Sequence, residues 1–261
     1  MLRRAFSDHA SGALKANPCV GVQFNFVSSL GFTMKIHAVL EPYCNLMRDI
    51  KIRLAAMKVL ALNPAGLPDD CVTEFQQLQI RMISETLAIA CLLVHGDIEG
   101  ARSARLSKAY QADFIMNALE QLHPRFYPQP VKQIFLNGVP VEIENVKEGF
   151  LTKAETLKSY RDAANFLHVG SLSEFLANET AVSNYEAVRT WVNRLRTLLN
   201  IHCIYLADEP EAWEGRTPLT FADGNAAPKY QIIVQMNPGP DGDPIARLFE
   251  TIRRADSRPG Q

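Results

Sequence analysis

YRDAANFLHVGSL, residues 160–172, sets an arginine and a histidine seven positions apart on a segment with helical spacing. At about 100° per residue, Arg161, Asn165 and His168 fall within roughly 60° of one another, beside Leu157 and Ala164 rather than opposite them. A polar cluster at the edge of a buried face can be held rigid by the core while still meeting solvent or a ligand. Upstream, Thr152 and Glu155 have the spacing of a capping box. Downstream, Gly170 is a helix stop. The expected helix covers 152–169, buries Leu157, Tyr160, Ala164 and Leu167, and carries His168 in its last turn, where the helix dipole favours a protonated imidazole.

The same period recurs on either side. Segments 34–62, 69–95, 101–122 and 184–200 read as amphipathic helices. Pro42 either kinks the first or marks its start. In the second, Asp69 or Asp70 is the expected N-cap, Gly96 the left-handed C′ residue, and Val72, Phe75, Leu78, Met82, Ile89 and Leu93 the buried stripe. Glu85 interrupts that stripe. A buried carboxylate is costly unless paired, so Glu85 needs Arg81, Arg161 or Tyr160 as a partner. The third segment is read with Leu106, Tyr110, Phe114, Ala118 and Leu122 on one face. The last turns Tyr185, Val188, Val192, Leu195 and Leu199 inward and Arg189, Arg194 and Arg196 outward. Those arginines are a solvated face unless they flank a site, in which case they supply phosphate contacts.

Strand signals are confined to two places. Around Asn137-Gly138, residues 131–147 predict an inserted β-hairpin. IHCIYLAD and KYQIIVQMN, starting at Ile201 and Lys229, read as the two strands of a long-looped hairpin. PGPDGDP then breaks the chain, and 245–254 is expected to form a terminal helix. The organisation that follows is a loosely ordered extension over 1–33, a helical domain over 34–200, a β-hairpin appendage over 201–240 and a polar tail over 241–261. The fold class is mainly α, a helical bundle with one or two attached hairpins.

Composition narrows the function. A chain of 261 residues, 47% of them hydrophobic, suits one core with appendages. Lys+Arg 27 against Asp+Glu 28 leaves a formal net charge of -1, so any affinity for nucleic acid or anionic lipid must be local. Cys19, Cys44, Cys71, Cys91 and Cys203 are odd in number and form no C-x-x-C, which argues against a disulfide framework and against zinc. A reducing, cytoplasmic setting is expected, and Cys91, within LAIACLLV, is read as a small core residue. No uninterrupted apolar run approaches the ~18 residues of a membrane span, so no membrane partner is expected. Walker, G-x-G-x-x-G, H-E-x-x-H and G-x-S-x-G patterns are absent, and the six histidines never stand at metal-ligand spacing. No cofactor or metal is expected.

A helical core with Arg, a polar residue and His near the end of a late helix resembles the HEPN superfamily, whose motif is Arg, four to six residues, His. Here it runs from Arg161 to His168 with six intervening residues, and Asp162 occupies the often polar second position. Glu85 stands where many members carry an acidic residue on an earlier core helix. The resemblance covers about 34–200. It implies metal-independent RNA cleavage at a cleft between two protomers, by attack of a ribose hydroxyl on the adjacent phosphate. His168 would move protons, and Arg161 would hold and neutralise the phosphate. Asn165 would fix the imidazole or bind a phosphate oxygen, while Asp162 orients Arg161 or faces solvent. Arg81 and Glu85 would support the site.

The implied partners are RNA or a nucleotide, a second copy of the chain and, in a toxin or defence setting, an antitoxin-type protein. The alternative is a non-catalytic helical module that uses the same residues to bind nucleotide or RNA or to dimerise.

Overall fold

Helix α2 (Asp69–Val94) is the element on which the other layers are built, because it packs against α1 (Phe32–Leu62), α3 (Ala112–Leu122) and α4 (Lys153–Phe166). The computed structural model describes residues 23–25, 32–96, 98, 100–101, 103–136, 139–168, 185–206, 230–237 and 242–252. A fifth helix, α5 (Tyr185–Leu199), completes the helical layer. The strands are β1 (Gln23–Asn25), β2 (Gln129–Leu136), β3 (Val139–Asn145), β4 (Ile201–Tyr205), β5 (Tyr230–Gln235) and β6 (Ile245–Ile252). The chain is therefore mainly helical, as its periodicity predicts, and carries an antiparallel sheet.

That sheet corrects the expectation of attached hairpins. All six described strands join one sheet in the order β1-β6-β5-β4-β2-β3, every pairing antiparallel. Its central strands belong to the core. Ile204 and Leu206 at β4, Ile232, Val234 and Met236 at β5, and Leu248 on β6 are buried in the same cluster as the helices. Their alternate neighbours Val131, Cys203, Tyr205 and Ile233 form a second cluster, as the two-residue period of a strand requires. The β2–β3 ribbon keeps more of its predicted independence. It crosses the Asn137-Gly138 signal with Leu136 paired to Val139, and only Gln129 and Pro130 of β2 reach β4.

Four further expectations are corrected. Residues 245–252 form β6 instead of a terminal helix within a polar tail, since β5 pairs with them from Gln235↔Ile245 to Tyr230↔Glu250. Within the supposed N-terminal extension, Gln23–Asn25 is a strand and α1 already begins at Phe32, passing through Pro42; the remainder of 1–33 lies outside the described residues. The third helix begins at Ala112, because Ser103 Oγ accepts from Leu106 N at 3.3 Å and Ser107 Oγ donates to Ala104 O at 3.2 Å, closing local turns that stop a helix from starting earlier. Helix α2 has Pro68 at its N-cap and His95 at its C-cap, and Gly96 is not left-handed.

The buried face of α2 is also rotated from the expected stripe. Leu78 and Ile89 are exposed, whereas Ile80, Ile83, Leu87, Ala90, Cys91 and Val94 are buried. Burial pushes the Cys91 thiol up to about 12, which suits an inert core residue. By length and composition α2 could cross a bilayer, yet more than half of its most apolar window is buried inside this fold. Its hydropathy is that of a central core helix.

One polar bridge ties the helices to the sheet. Tyr43 on α1 and His202 on β4 are both fully buried. The His202 Nδ1–H donates to Leu199 O at 2.9 Å, leaving Nε2 to accept from the Tyr43 hydroxyl at 2.8 Å. Every polar ring atom is thereby satisfied with a neutral imidazole.

Candidate functional site

Helix α4 is anchored at its start. Thr152 Oγ1 accepts from Glu155 N at 3.3 Å while the Glu155 carboxylate accepts from Thr152 N at 2.9 Å, the reciprocal capping box expected from the sequence. Arg194 of α5 fastens the same end. Its Nε and Nη2 donate to Phe150 O at 3.1 and 2.9 Å, and Nη1 pairs with Glu155. Arg194 is therefore a clamp between helices and not part of an outward face, which corrects one of the three arginine placements. Burial alone would raise the Glu155 pKa, but the Thr152 hydrogen bonds and the Arg194 guanidinium hold it below the usual carboxylate value. Arg194→Ala is expected to cost about 2 kcal/mol in urea unfolding, with Arg194→Lys recovering less than half, because an ammonium lacks the forked geometry.

The middle of α4 is held by Glu85. With a side chain 13% exposed, Glu85 receives Arg81 Nε at 3.2 Å and the Tyr160 hydroxyl at 3.2 Å. The Arg81 guanidinium also lies 5.9 Å from the Tyr160 ring centre. Burial raises the Tyr160 pKa and the Glu85 charge raises it further, keeping the phenol a donor. Of the three partners considered for Glu85, the structure brings Arg81 and Tyr160 to it, and no bond to Arg161 is formed. Glu85→Ala should cost on the order of 1–3 kcal/mol by stranding its partners; Glu85→Gln, which keeps an acceptor for Tyr160, should cost less in the same melting experiment.

Arg161, Asp162, Asn165 and His168 are all exposed. Asp162 pairs with Lys158 at 2.5 Å, so it faces solvent and does not orient Arg161. Among the described residues, the side chains of Arg161, Asn165 and His168 make no hydrogen bond or ion pair. The helix stops at Phe166 with Leu167 as C-cap, so His168 stands one residue past the cap, its N–H bonded to Asn165 O at 3.3 Å. This corrects its placement in the last helical turn. Val169 and the expected helix stop Gly170 lie outside the described residues.

Three groupings have no counterpart in the sequence reading. His95 and His123 lie 5.2 Å apart, and both Nε2 atoms approach Tyr205 O, at 3.2 and 2.9 Å, while His95 Nδ1 is 2.8 Å from Cys91 O. Histidines distant in sequence do meet, but among the described residues no group of three potential metal ligands occurs. The second grouping is Tyr43–His202. The third is a groove between α1 and α5, bordered by Lys51, Lys58, Arg189 and Arg196. Its walls come from opposite ends of the sequence, so no local motif could reveal it.

No family model, curated protein or solved structure matches this chain.

Proposed function

We propose that this protein is a metal-independent endoribonuclease of HEPN type, acting through Arg161 and His168 at a cleft completed by a second copy. The observation that carries the reading is the state of the α4 face. Arg161 and Asn165 project into solvent from a helix fixed at both its start and its middle, His168 is exposed just past its C-cap, and none of the three has a partner among the described residues. Polar groups held on a rigid support and left unpaired are available to a ligand.

In the reaction, the ribose 2′-oxygen attacks the adjacent phosphorus as its proton passes to an imidazole. The P–O5′ bond breaks, the leaving 5′-oxygen takes up a proton, and the products are a 2′,3′-cyclic phosphate and a 5′-hydroxyl. His168 exchanges both protons, or two His168 residues do so across the cleft. Arg161 neutralises the charge that develops on the phosphate, where a forked guanidinium can hold two oxygens. The test is incubation of purified protein with a mixed RNA pool in excess chelator, with the product ends identified. Cleavage leaving cyclic phosphate supports the reading, and intact RNA at every protein concentration refutes it.

The second reading, a non-catalytic RNA- or nucleotide-binding or dimerising module, is favoured by one observation. His168 lies beyond the helix end, where its backbone is less constrained than that of Arg161.

A further inference from the structure

The groove between α1 and α5 runs from Lys51 opposite Asn200 to Leu62 opposite Tyr185, so the two helices pass along it in opposite directions. Its length along α1 is about 16 Å at 1.5 Å per residue. Two cavities, sharing Leu54, Lys58 and Arg196 in their walls, make it continuous, and the wider one has a volume of about 510 Å³. That is within the range of ligand-binding clefts.

Its chemistry is one-sided. Lys51 and Lys58 stand two turns apart on α1, as Arg189 and Arg196 do on α5, and no aspartate or glutamate is among the lining residues. Asp49 and Asp243 are engaged elsewhere, with Arg53 and Arg48, while Glu186 pairs with the groove's own Arg189 in an exposed ion pair that a phosphate can displace. Lys51 Nζ also donates to Gly242 O at 2.9 Å. Among the described residues, Lys58 and Arg196 have no ion-pair partner. In a chain of net charge -1 this is a local concentration of positive charge.

Between the cations the floor is apolar, formed by Leu54, Met57, Val188 and Val192. One polar group stands out there. Gln76 is 2% exposed and lines the groove, so its side-chain amide borders the floor. Asn193 supplies a second amide, and Tyr185, half exposed, stands at the mouth.

We infer that this groove is a binding track for single-stranded nucleic acid. Phosphates lie on the four cations, bases rest on the apolar floor and stack on Tyr185, and the Gln76 and Asn193 amides meet base edges. A duplex presents no free base faces to such a floor, which selects the single strand. The inference does not depend on cleavage at Arg161 and His168.

The experiment is fluorescence anisotropy of a labelled mixed-sequence single-stranded RNA with the full chain in chelator, across a salt series. Binding should weaken with salt at a log–log slope of about -3, the value for four phosphates on a single strand. Lys58→Glu/Arg196→Glu alters two exposed side chains and should leave the melting temperature unchanged while weakening binding at least tenfold and flattening the slope. Tyr185→Ala should weaken it several-fold. Lys108→Glu/Lys132→Glu, an equal change of charge at exposed residues outside the groove, should leave this affinity within about twofold. Wild-type affinity in the Lys58→Glu/Arg196→Glu variant would overturn the inference. So would absence of binding at low salt, or equal competition by duplex RNA or by polyglutamate.

Discussion

His168→Ala is expected to reduce metal-independent RNA cleavage by about 10²–10⁴-fold, the usual contribution of a positioned proton-transfer group, without lowering the melting temperature. Arg161→Ala should lose a similar order of magnitude, because a donor aimed at developing phosphate charge commonly accounts for about 10²–10³ in rate. Both side chains are exposed and unpartnered among the described residues, so their removal creates no cavity and strands no buried group. Truncating buried Leu157 on the same helix would instead cost about 2–5 kcal/mol. The comparison therefore separates chemistry from folding. Single-turnover cleavage in excess chelator, with melting curves of each variant, gives the answer. Activity that survives His168→Ala would remove the mechanism. A dimer that binds RNA and leaves it whole would move the protein to the non-catalytic class.

The second large effect is on stability against acid. Burial lowers the pKa of His202 to about 4, and burial, with the neighbouring His123, lowers that of His95 to about 4, from an ordinary value of 6.5. In the unfolded chain both titrate near that ordinary value. Between the two values the unfolded state therefore binds more protons than the native state, and stability rises with pH across this window and falls as acid is added. Each histidine contributes a slope of about 1.4 kcal/mol per pH unit. Urea midpoints should be level above about pH 7 and fall steeply towards pH 4. Replacing the bridge by the apolar pair Tyr43→Phe/His202→Leu removes one of the two titrating groups and should roughly halve the slope, while the Leu199 carbonyl that loses its donor lowers stability equally at every pH. A flat profile in the wild-type protein would rule out neutral burial of these two rings.

What the sequence makes legible is local. The Thr152–Glu155 cap and the strand pairing around Asn137-Gly138 are both present, because short-range hydrogen bonding decides them. Glu85 announces its need for a partner by standing among apolar neighbours. The errors arise where tertiary contacts override local pattern. In α2, Thr73, Ser84 and Thr86 are buried, their hydroxyls donating to the carbonyls of Asp69, Ile80 and Met82 four residues earlier. Polar residues satisfied in this way serve in a core, so polarity does not mark the outer side, and the buried face is rotated from the apolar stripe. In β6, Ile245, Leu248, Phe249 and Ile252 have helical spacing, but the free edge of β5 supplies a ladder that a short helix cannot match. The groove was hidden because Lys51 and Lys58 read as solvated charges until α5 is set beside them.

The pairing of β1 with β6 bears on how the chain is made. Gln23, Phe24 and Asn25 lie against Ile252, Thr251 and Glu250, so among the described residues the strand that leaves the ribosome first has its hydrogen-bonding partner in the one that leaves last. Vectorial synthesis lets the helices and the β2–β3 ribbon assemble while β1 waits. Until β6 emerges, β5 presents an open edge of the kind that recruits other chains. A nascent chain stalled before Ile245 would thus expose an adhesive edge, and a chaperone acting on this protein should engage it late in translation, after the helical layer has formed.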